Sequence, residues 1–397
     1  MTEQPATRRS VPRDRENDHT EAMAAARRDF VRDVAGVAFE HVGSYSLDPA
    51  TLPGNIENFV GVAQVPIGLA GPLRIDGEHV QDEVYVPLAT TEGTLVASYN
   101  RGMRVLTEAG GVRTTVVDDR MQRAPVFVCA DARESRDLGA WVQEHLPEVA
   151  LAAQATTSVG RLLDIEQYAV GPLRYLRLNY STGDAAGQNM VGRATLAACE
   201  WIRAHHPAHP RFVLSGAIDT DKKHSQINML HTRGKRVVAE ATLPGPLLER
   251  HLGVSAARLF RTRQYSQTGG FMVGSANNGA HAANGLAALF VATGQDVANV
   301  AEAHAGIVYS QLLDSGDYYW SITLPALIVA TVGGGTGLAT QHECLRLLGC
   351  SGPGTVLRFA EICAAVVLAG EVSLSAAVLA GDWVSSHERY GRNRLPS

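Results

Sequence analysis

Cysteine is scarce and scattered. Five in 397 residues, at 129, 199, 344, 350 and 363, make an odd number without CxxC spacing. That pattern fits neither a disulfide framework nor a thiolate metal cage, so Cys129, Cys199, Cys344, Cys350 and Cys363 read as reduced, mostly buried thiols. Positive charge is also short: 35 Lys and Arg against 40 Asp and Glu leave a net charge of -5. That sign excludes a chain whose main task is to neutralise phosphate backbones, and with it nucleic acid as the principal partner. No run approaches the ~18 uninterrupted apolar residues of a membrane span. The opening MTEQPATRRSVPRDRENDHT lacks the apolar core of a signal peptide. A cytoplasmic protein with no membrane partner is therefore expected.

What is present is globular in character. Hydrophobic residues make up 45% and charged residues 19% of the chain, and at roughly 150 residues per domain the length allows two or three domains. Glycine is abundant: its 39 residues exceed the usual ~7% share and cluster in particular loops. Residues 1–50 form a mobile tail and helical lead-in, with Ala, Phe and Val at helical spacing over Glu21–Phe39. From Leu52 to Leu73, Pro and Gly punctuate short apolar runs, which suits strands and turns. Val84–Leu88 reads as a strand, ending at Thr90 and Thr91, the expected caps of a helix that runs to Gly110 and Gly111. Residues 116–213 alternate strand-like and helix-like segments and read as a compact α+β unit. It looks inserted between 51–115 and 214–380, two parts of a larger unit rich in small-residue helices. Residues 381–397 read as a mobile polar tail.

Several segments bear on chemistry, and alone each has two readings. Leu173–Tyr180 leads through STGDAAGQNM into a helix, which offers backbone N–H groups and a helix dipole to a pyrophosphate. Equally, it is a plain turn capped by Asp184. GGGTG at 333–337 reads as a phosphate cradle or as close packing of loop on helix. Lys222, in SGAIDTDKK, either stabilises a developing oxyanion beside a carboxylate or belongs to an exposed charge cluster. Glu92 and Asp296 stand where carboxylates commonly cap helices, and His387 stands in the tail. Pro207 interrupts the helical geometry of His205, His206 and His209, so no metal site is indicated.

Seven segments together carry a resemblance. ENFVGVAQVPIGLAGPL (57–73), TTEGTLVASYNRG (90–102), STGDAAGQNM (181–190), SGAIDTDKK (215–223), GAHAANGLAALFVATGQD (279–296), LPALIVATVGGGTGL (324–338) and LAGEVSLSAAVLAG (368–381) resemble, in order, the catalytic portion of the hydroxymethylglutaryl-CoA reductases in their soluble form. The resemblance implies an α+β fold: a helical lead-in, a large CoA-binding domain around a central helix, and an inserted small ferredoxin-like cofactor domain. The family's catalytic glutamate, lysine, aspartate and histidine fall on Glu92, Lys222, Asp296 and His387. Its nicotinamide-cofactor loop falls on Asp184, Ala185, Ala186, Gly187, Gln188, Asn189 and Met190, with Ser158 and Arg161 at the adenosine end. Its substrate contacts fall on Arg123, Ser215, Asp221, Lys223, His281 and Asn284, with Arg263 as a replacement cation.

The reaction this implies is a reduction of hydroxymethylglutaryl-CoA to mevalonate and free CoA, in two hydride steps, with NADPH or NADH. Lys222 then stabilises the oxyanion and Asp296 keeps that lysine charged in a dry site. His387, with an ordinary imidazole pKa of ~6.5, protonates the departing thiolate. Glu92 acts as the acid in aldehyde reduction, in a protonated form that burial favours. The family also pairs subunits so that one chain's glutamate meets another's lysine loop, and a homodimer or larger homo-oligomer is expected. Two positions depart from its pattern. The lysine that faces the substrate carboxylate aligns with Gly270, or with Gln264 when counted without gaps from HAAN. The arginine beside the cofactor's 2′-phosphate aligns with Val159. A same-fold reductase acting on another acyl thioester therefore stays open, as does NAD in place of NADP. A non-catalytic binding homologue is the third reading, against which the intact quartet stands.

Overall fold

The computed structural model describes residues 10–381 of the chain. Its organising element is the helix Val356–Ala380, whose sequence VLRFAEICAAVVLAGEVSLSAAVLA is apolar on every face. A helix of that kind belongs inside a protein or a bilayer. This one passes the length and hydropathy test for a membrane span, yet 78% of its most apolar window is buried within the chain. Its two buried carboxylates are both saturated. Glu361 accepts the backbone N–H groups of Glu78, His79 and Val80, and Glu371 accepts those of Ala280 and His281. Buried charge is tolerated where hydrogen bonds replace water.

Small residues let other helices approach this core. Gly102, on the helix Leu95–Glu108, lies so close to the central helix that a Cβ would sit 1.9 Å from the Ala369 carbonyl oxygen. Only glycine fits there. The expected start of that helix moves, however. Its cap is Thr94, in a left-handed conformation with φ 76°, and not Thr90 or Thr91. Thr90 instead accepts the N–H of Glu92 in the preceding turn, at 3.0 Å. The first helix is also shorter than its periodicity predicts, Glu21–Ala35, because Gly36 terminates it in a left-handed C-cap.

Two sheets share one strand. The first part of Val112–Arg123 pairs with Ile67–Gly77 and Gly234–Leu243, and the sheet continues through Tyr318–Leu327 to Ile307–Leu312. Between Val116 and Asp118 the register slips. The end of the strand, Met121 to Arg123, then pairs with Leu173–Ser181. That strand is flanked by Arg161–Val170 and Val126–Val128, and Arg211–Val213 closes the edge. Two hydrophobic clusters follow the same division. One surrounds the central helix; the other joins Leu138, Val142, Val149, Val191, Ala198 and Ile202 to the second sheet. The five cysteines are all buried and unpaired.

Candidate active site

The polar loop after Val213 is held in place by buried charge. Asp219, 1% exposed, accepts from the Arg123 guanidinium at 2.9 Å and from the Ser215 hydroxyl at 3.1 and 3.0 Å. Asp221 accepts from Arg233 at 2.9 Å, and Lys223 donates to the Asp221 carbonyl at 2.8 Å. Between them, Lys222 adopts a left-handed backbone, φ 57°, a conformation uncommon for a residue with a side chain. Its ammonium reaches Asp296 Oδ2 at 2.9 Å. The hydrogen bond to Asp296, then the charges of Asp296, Asp221 and Glu302, hold its pKa above the ordinary lysine value against partial desolvation.

Asp296 has two duties. It caps the short turn Val297–Asn299 through the N–H of Ala298 at 3.1 Å, and its other oxygen meets the lysine. The pair is 43% and 41% exposed, so the dry setting expected for it is absent within one copy of the chain.

A glycine-started helix and a cavity adjoin Asp296. The helix Gln188–His205 starts at Gly187, which is left-handed at φ 82° and gives no side-chain cap. A Cβ at Gly187 would lie 2.2 Å from Thr182 Cγ2. The first turn thus starts without a side-chain cap, at an end where the helix dipole favours an anion. A cavity of about 670 Å³ lies between this turn and the Gly333–Gly335 loop, and Asp296 is in its wall. Gln188 ties the two regions together, donating to Asn299 Oδ1 at 3.0 Å and to Asp221 Oδ1 at 3.4 Å.

Asp184 is not the local cap of its turn. Its carboxylate accepts the N–H groups of Gly354 at 2.7 Å and Val356 at 3.1 Å, anchoring the loop to the start of the central helix. It caps that helix from a distance, and not the helix that follows it. Arg161 is exposed and folds back on the carbonyls of Gly160 and Ser158, at 2.9 and 3.2 Å.

The remaining predicted residues lie elsewhere. Glu92 is exposed, which corrects the expectation of burial within one copy, and it faces Asn284 Nδ2 at 3.5 Å. Asn284 is in the first turn of the helix Ala282–Thr293, and Asp296 follows its C-cap Gly294. At 1.5 Å of rise per residue, about 15 Å of helix separates Glu92 from the Lys222–Asp296 pair. His281 is 7% exposed, stacked on Tyr99 with ring centroids 4.8 Å apart. Burial lowers its pKa to about 4. Arg263 and Gly270 line a different cavity, of about 520 Å³, whose wall includes neither Lys222 nor Asp296. Arg263, 9% exposed, donates to the Asn278 carbonyl, so within one copy it does not join the lysine cluster. His387 lies outside the described residues.

Sequence reasoning missed the residues beneath the loop. Asp219, Asn228, Arg233, Asn299 and Glu302, all 3% exposed or less, fix the conformation of 219–223 yet stand in no motif that marks them. One compositional signal was available: the chain has 32 arginines and only three lysines, Lys222, Lys223 and Lys235. A chain that otherwise uses arginine for its cations places two of its three ammonium groups in this loop. A compact, strongly hydrated point charge differs from a planar fork in what it stabilises.

The family described as hydroxymethylglutaryl-coenzyme A reductase matches residues 23–392. The 3-hydroxy-3-methylglutaryl-coenzyme A reductase of Pyrococcus abyssi is 43% identical over 374 residues, covering 92% of both chains. That of Methanothermobacter thermautotrophicus is 43% identical over 369 residues, again covering 92% of each. Among solved structures, the class II enzyme of Streptococcus pneumoniae bound to NADPH gives a TM-score of 0.66 at 18% identity, over 83% of this chain and 79% of that one. This last likeness is one of fold. With a family match across most of the sequence and relatives above 40% identity, the chain belongs to the hydroxymethylglutaryl-coenzyme A reductase family.

Proposed function

We propose that the chain reduces hydroxymethylglutaryl-CoA to mevalonate and free CoA with NADPH, as a soluble, cytoplasmic homo-oligomer. The observation that carries this reading is the 2.9 Å pair of Lys222 and Asp296, whose aspartate is in the wall of the cavity beside the Gly187 turn. In the proposed division of labour, residues 116–213 hold the cofactor, while 51–115 and 214–380 hold the CoA thioester. The uncapped turn Gln188–Met190 suits a pyrophosphate, and Arg161 beside Ser158 suits a 2′-phosphate. A reduced nicotinamide bound there supplies hydride.

The chain's own groups answer the rest of the chemistry. Charge develops on the carbonyl oxygen, and the Lys222 ammonium, held charged by Asp296, stabilises it. Asp221 and Lys223 keep that lysine's neighbours fixed. Arg123, clamped by Asp219, faces the substrate's free carboxylate with Ser215 beside it. Glu92 delivers a proton to the second alkoxide, and His387 protonates the leaving thiolate.

Glu92 and Asn284 stand about 15 Å along a helix from the lysine, which favours a site completed by a second copy of the chain. Phe271, Met272 and Val273, at 86%, 79% and 81% exposed, offer apolar surface for such a contact. One assay tests the whole reading. Full-length protein with hydroxymethylglutaryl-CoA should oxidise two equivalents of NADPH per mevalonate formed, and outpace neutral acyl-CoAs. Faster turnover of a neutral acyl-CoA would move the assignment to another thioester. No oxidation with any of them would remove it.

A further inference from the structure

We propose that Glu302 is a positioning residue for Lys222: its buried carboxylate fixes the left-handed loop conformation from which the ammonium is aimed. The inference rests on the reading of Lys222 given above and goes beyond it to a residue with no motif of its own. Glu302, 1% exposed, lies in the short helix Val300–Ala303, six residues after Asp296. One of its oxygens accepts the backbone N–H of Lys222. The other accepts from Arg233 Nε at 2.8 Å and Asn228 Nδ2 at 3.3 Å.

Both relays return to the loop. Arg233 holds Asp221 at 2.9 Å, and Asn228 holds the Thr220 hydroxyl at 2.8 Å. Residues 220, 221 and 222 are thus all tied to one carboxylate, two of them through a single intermediary. This matters because Thr220 and Lys222 both have positive φ, 56° and 57°, which side-chain-bearing residues adopt only where surroundings impose it. The segment 296–302 consequently grips Lys222 at both ends: Asp296 takes the ammonium and Glu302 takes the backbone.

Burial of an anion has to be compensated, and here the compensation is specific. Arg233 is itself fully buried and its guanidinium divides between Glu302 and Asp221. A carboxylate used only for packing would need neither the loop N–H nor an arginine that extends to the next loop residue. An ammonium acting on a developing oxyanion must be placed to within about half an ångström, and the three loop attachments supply that restraint.

Glu302→Ala and Glu302→Gln in the full chain test the proposal by two routes. In steady-state reduction of hydroxymethylglutaryl-CoA, Glu302→Ala should lower kcat at least ten-fold, with both KM values and the NADPH dissociation constant within three-fold of wild type. Glu302→Gln, which keeps an acceptor for the Lys222 N–H, should recover most of that loss. The second route needs no activity. With three lysines in the chain, an amine-reactive probe followed by peptide mass spectrometry reads Lys222 against Lys223, with buried Lys235 reporting global unfolding.

The Lys222:Lys223 labelling ratio should rise several-fold in Glu302→Ala while Lys235 stays protected. An unchanged ratio together with unchanged kcat overturns the proposal. So does a Glu302→Gln protein as impaired as the alanine variant, or loss of Lys235 protection in both variants, which makes the residue a general structural support. If wild type shows no turnover, the functional reading fails, and the labelling ratio still decides the role of Glu302.

Discussion

Replacing Lys222 with alanine separates a catalytic cation from a structural one. Its pair with Asp296 is 43% and 41% exposed, and ion pairs so open to water contribute about 0–1 kcal/mol to stability. The variant should therefore unfold within about 1 kcal/mol of wild type in urea. Stabilisation of the oxyanion acts only as charge develops, and removal of one such donor costs roughly 10² to 10³ in kcat, or about 3–4 kcal/mol. The ratio of the two effects is the diagnostic quantity. Both reductive steps should be lost together, with KM for hydroxymethylglutaryl-CoA little changed, because the interaction is made in the transition state. Lys222→Arg keeps the charge but replaces a compact ammonium with a planar fork, and should restore no more than about a tenth of the activity. Stopped measurements of thioester and aldehyde reduction, with urea titrations of the same preparations, supply every number. Retention of kcat within three-fold, or a loss of stability that accounts for the loss of rate, refutes the reasoning.

Arg161→Ala should raise KM for NADPH about ten-fold through loss of one charge-assisted hydrogen bond, and leave KM for NADH unchanged; equal effects on the two cofactors count against a 2′-phosphate contact. His281, with a folded pKa of about 4 against an ordinary ~6.5, takes up its proton in the unfolded chain first. Stability is then complete above pH ~6.5 and falls as pH drops toward 4, by on the order of 3 kcal/mol. Urea titrations of wild type and His281→Gln at pH 7.5 and 5 should show that slope in wild type and a smaller one in the variant. Mixing Glu92→Gln with Lys222→Ala protein under subunit exchange should regenerate activity, up to about a quarter of wild type for a random dimer mixture; no recovery, with exchange demonstrated, indicates that one chain supplies both groups.

The parts of the fold that were legible in the sequence are those with a period or a stop signal. LAGEVSLSAAVLAG reads as a small-residue helix that permits close helix contact, and the structure places it in the core helix Val356–Ala380. Val84–Leu88 is a strand within Gln81–Ala89, and the strand, turn and helix order around STGDAAGQNM appears as read. Caps were less legible. Thr90 and Thr91 have the right chemistry for an N-cap, yet the chain turns three residues later at Thr94 with a positive φ, a conformation that residue identity does not announce. Asp184 likewise has the chemistry of a local cap and serves a helix 172 positions away.

The same distinction governs the site. Lys222 and Asp296 are 74 positions apart in sequence and meet at 2.9 Å, and apart from the family resemblance nothing in the sequence pairs them. Local context gives each of them an ordinary alternative, an exposed turn charge and a helix cap, and the structure shows that Asp296 performs the ordinary task as well. A residue can satisfy its local role and a distant one together, so a sequence argument that awards it to the local role alone is incomplete. Glu302 and Arg233 are the harder case. They carry no motif, because what they supply is a restraint on someone else's backbone, and any sequence that buried a carboxylate under the loop at that place would do. Such residues become visible only when the question changes from which side chains touch the reaction to which backbone conformations are improbable and what holds them. In the loop 215–223 three side-chain-bearing residues have positive φ, Ala217, Thr220 and Lys222, and two of the three lead to one buried carboxylate.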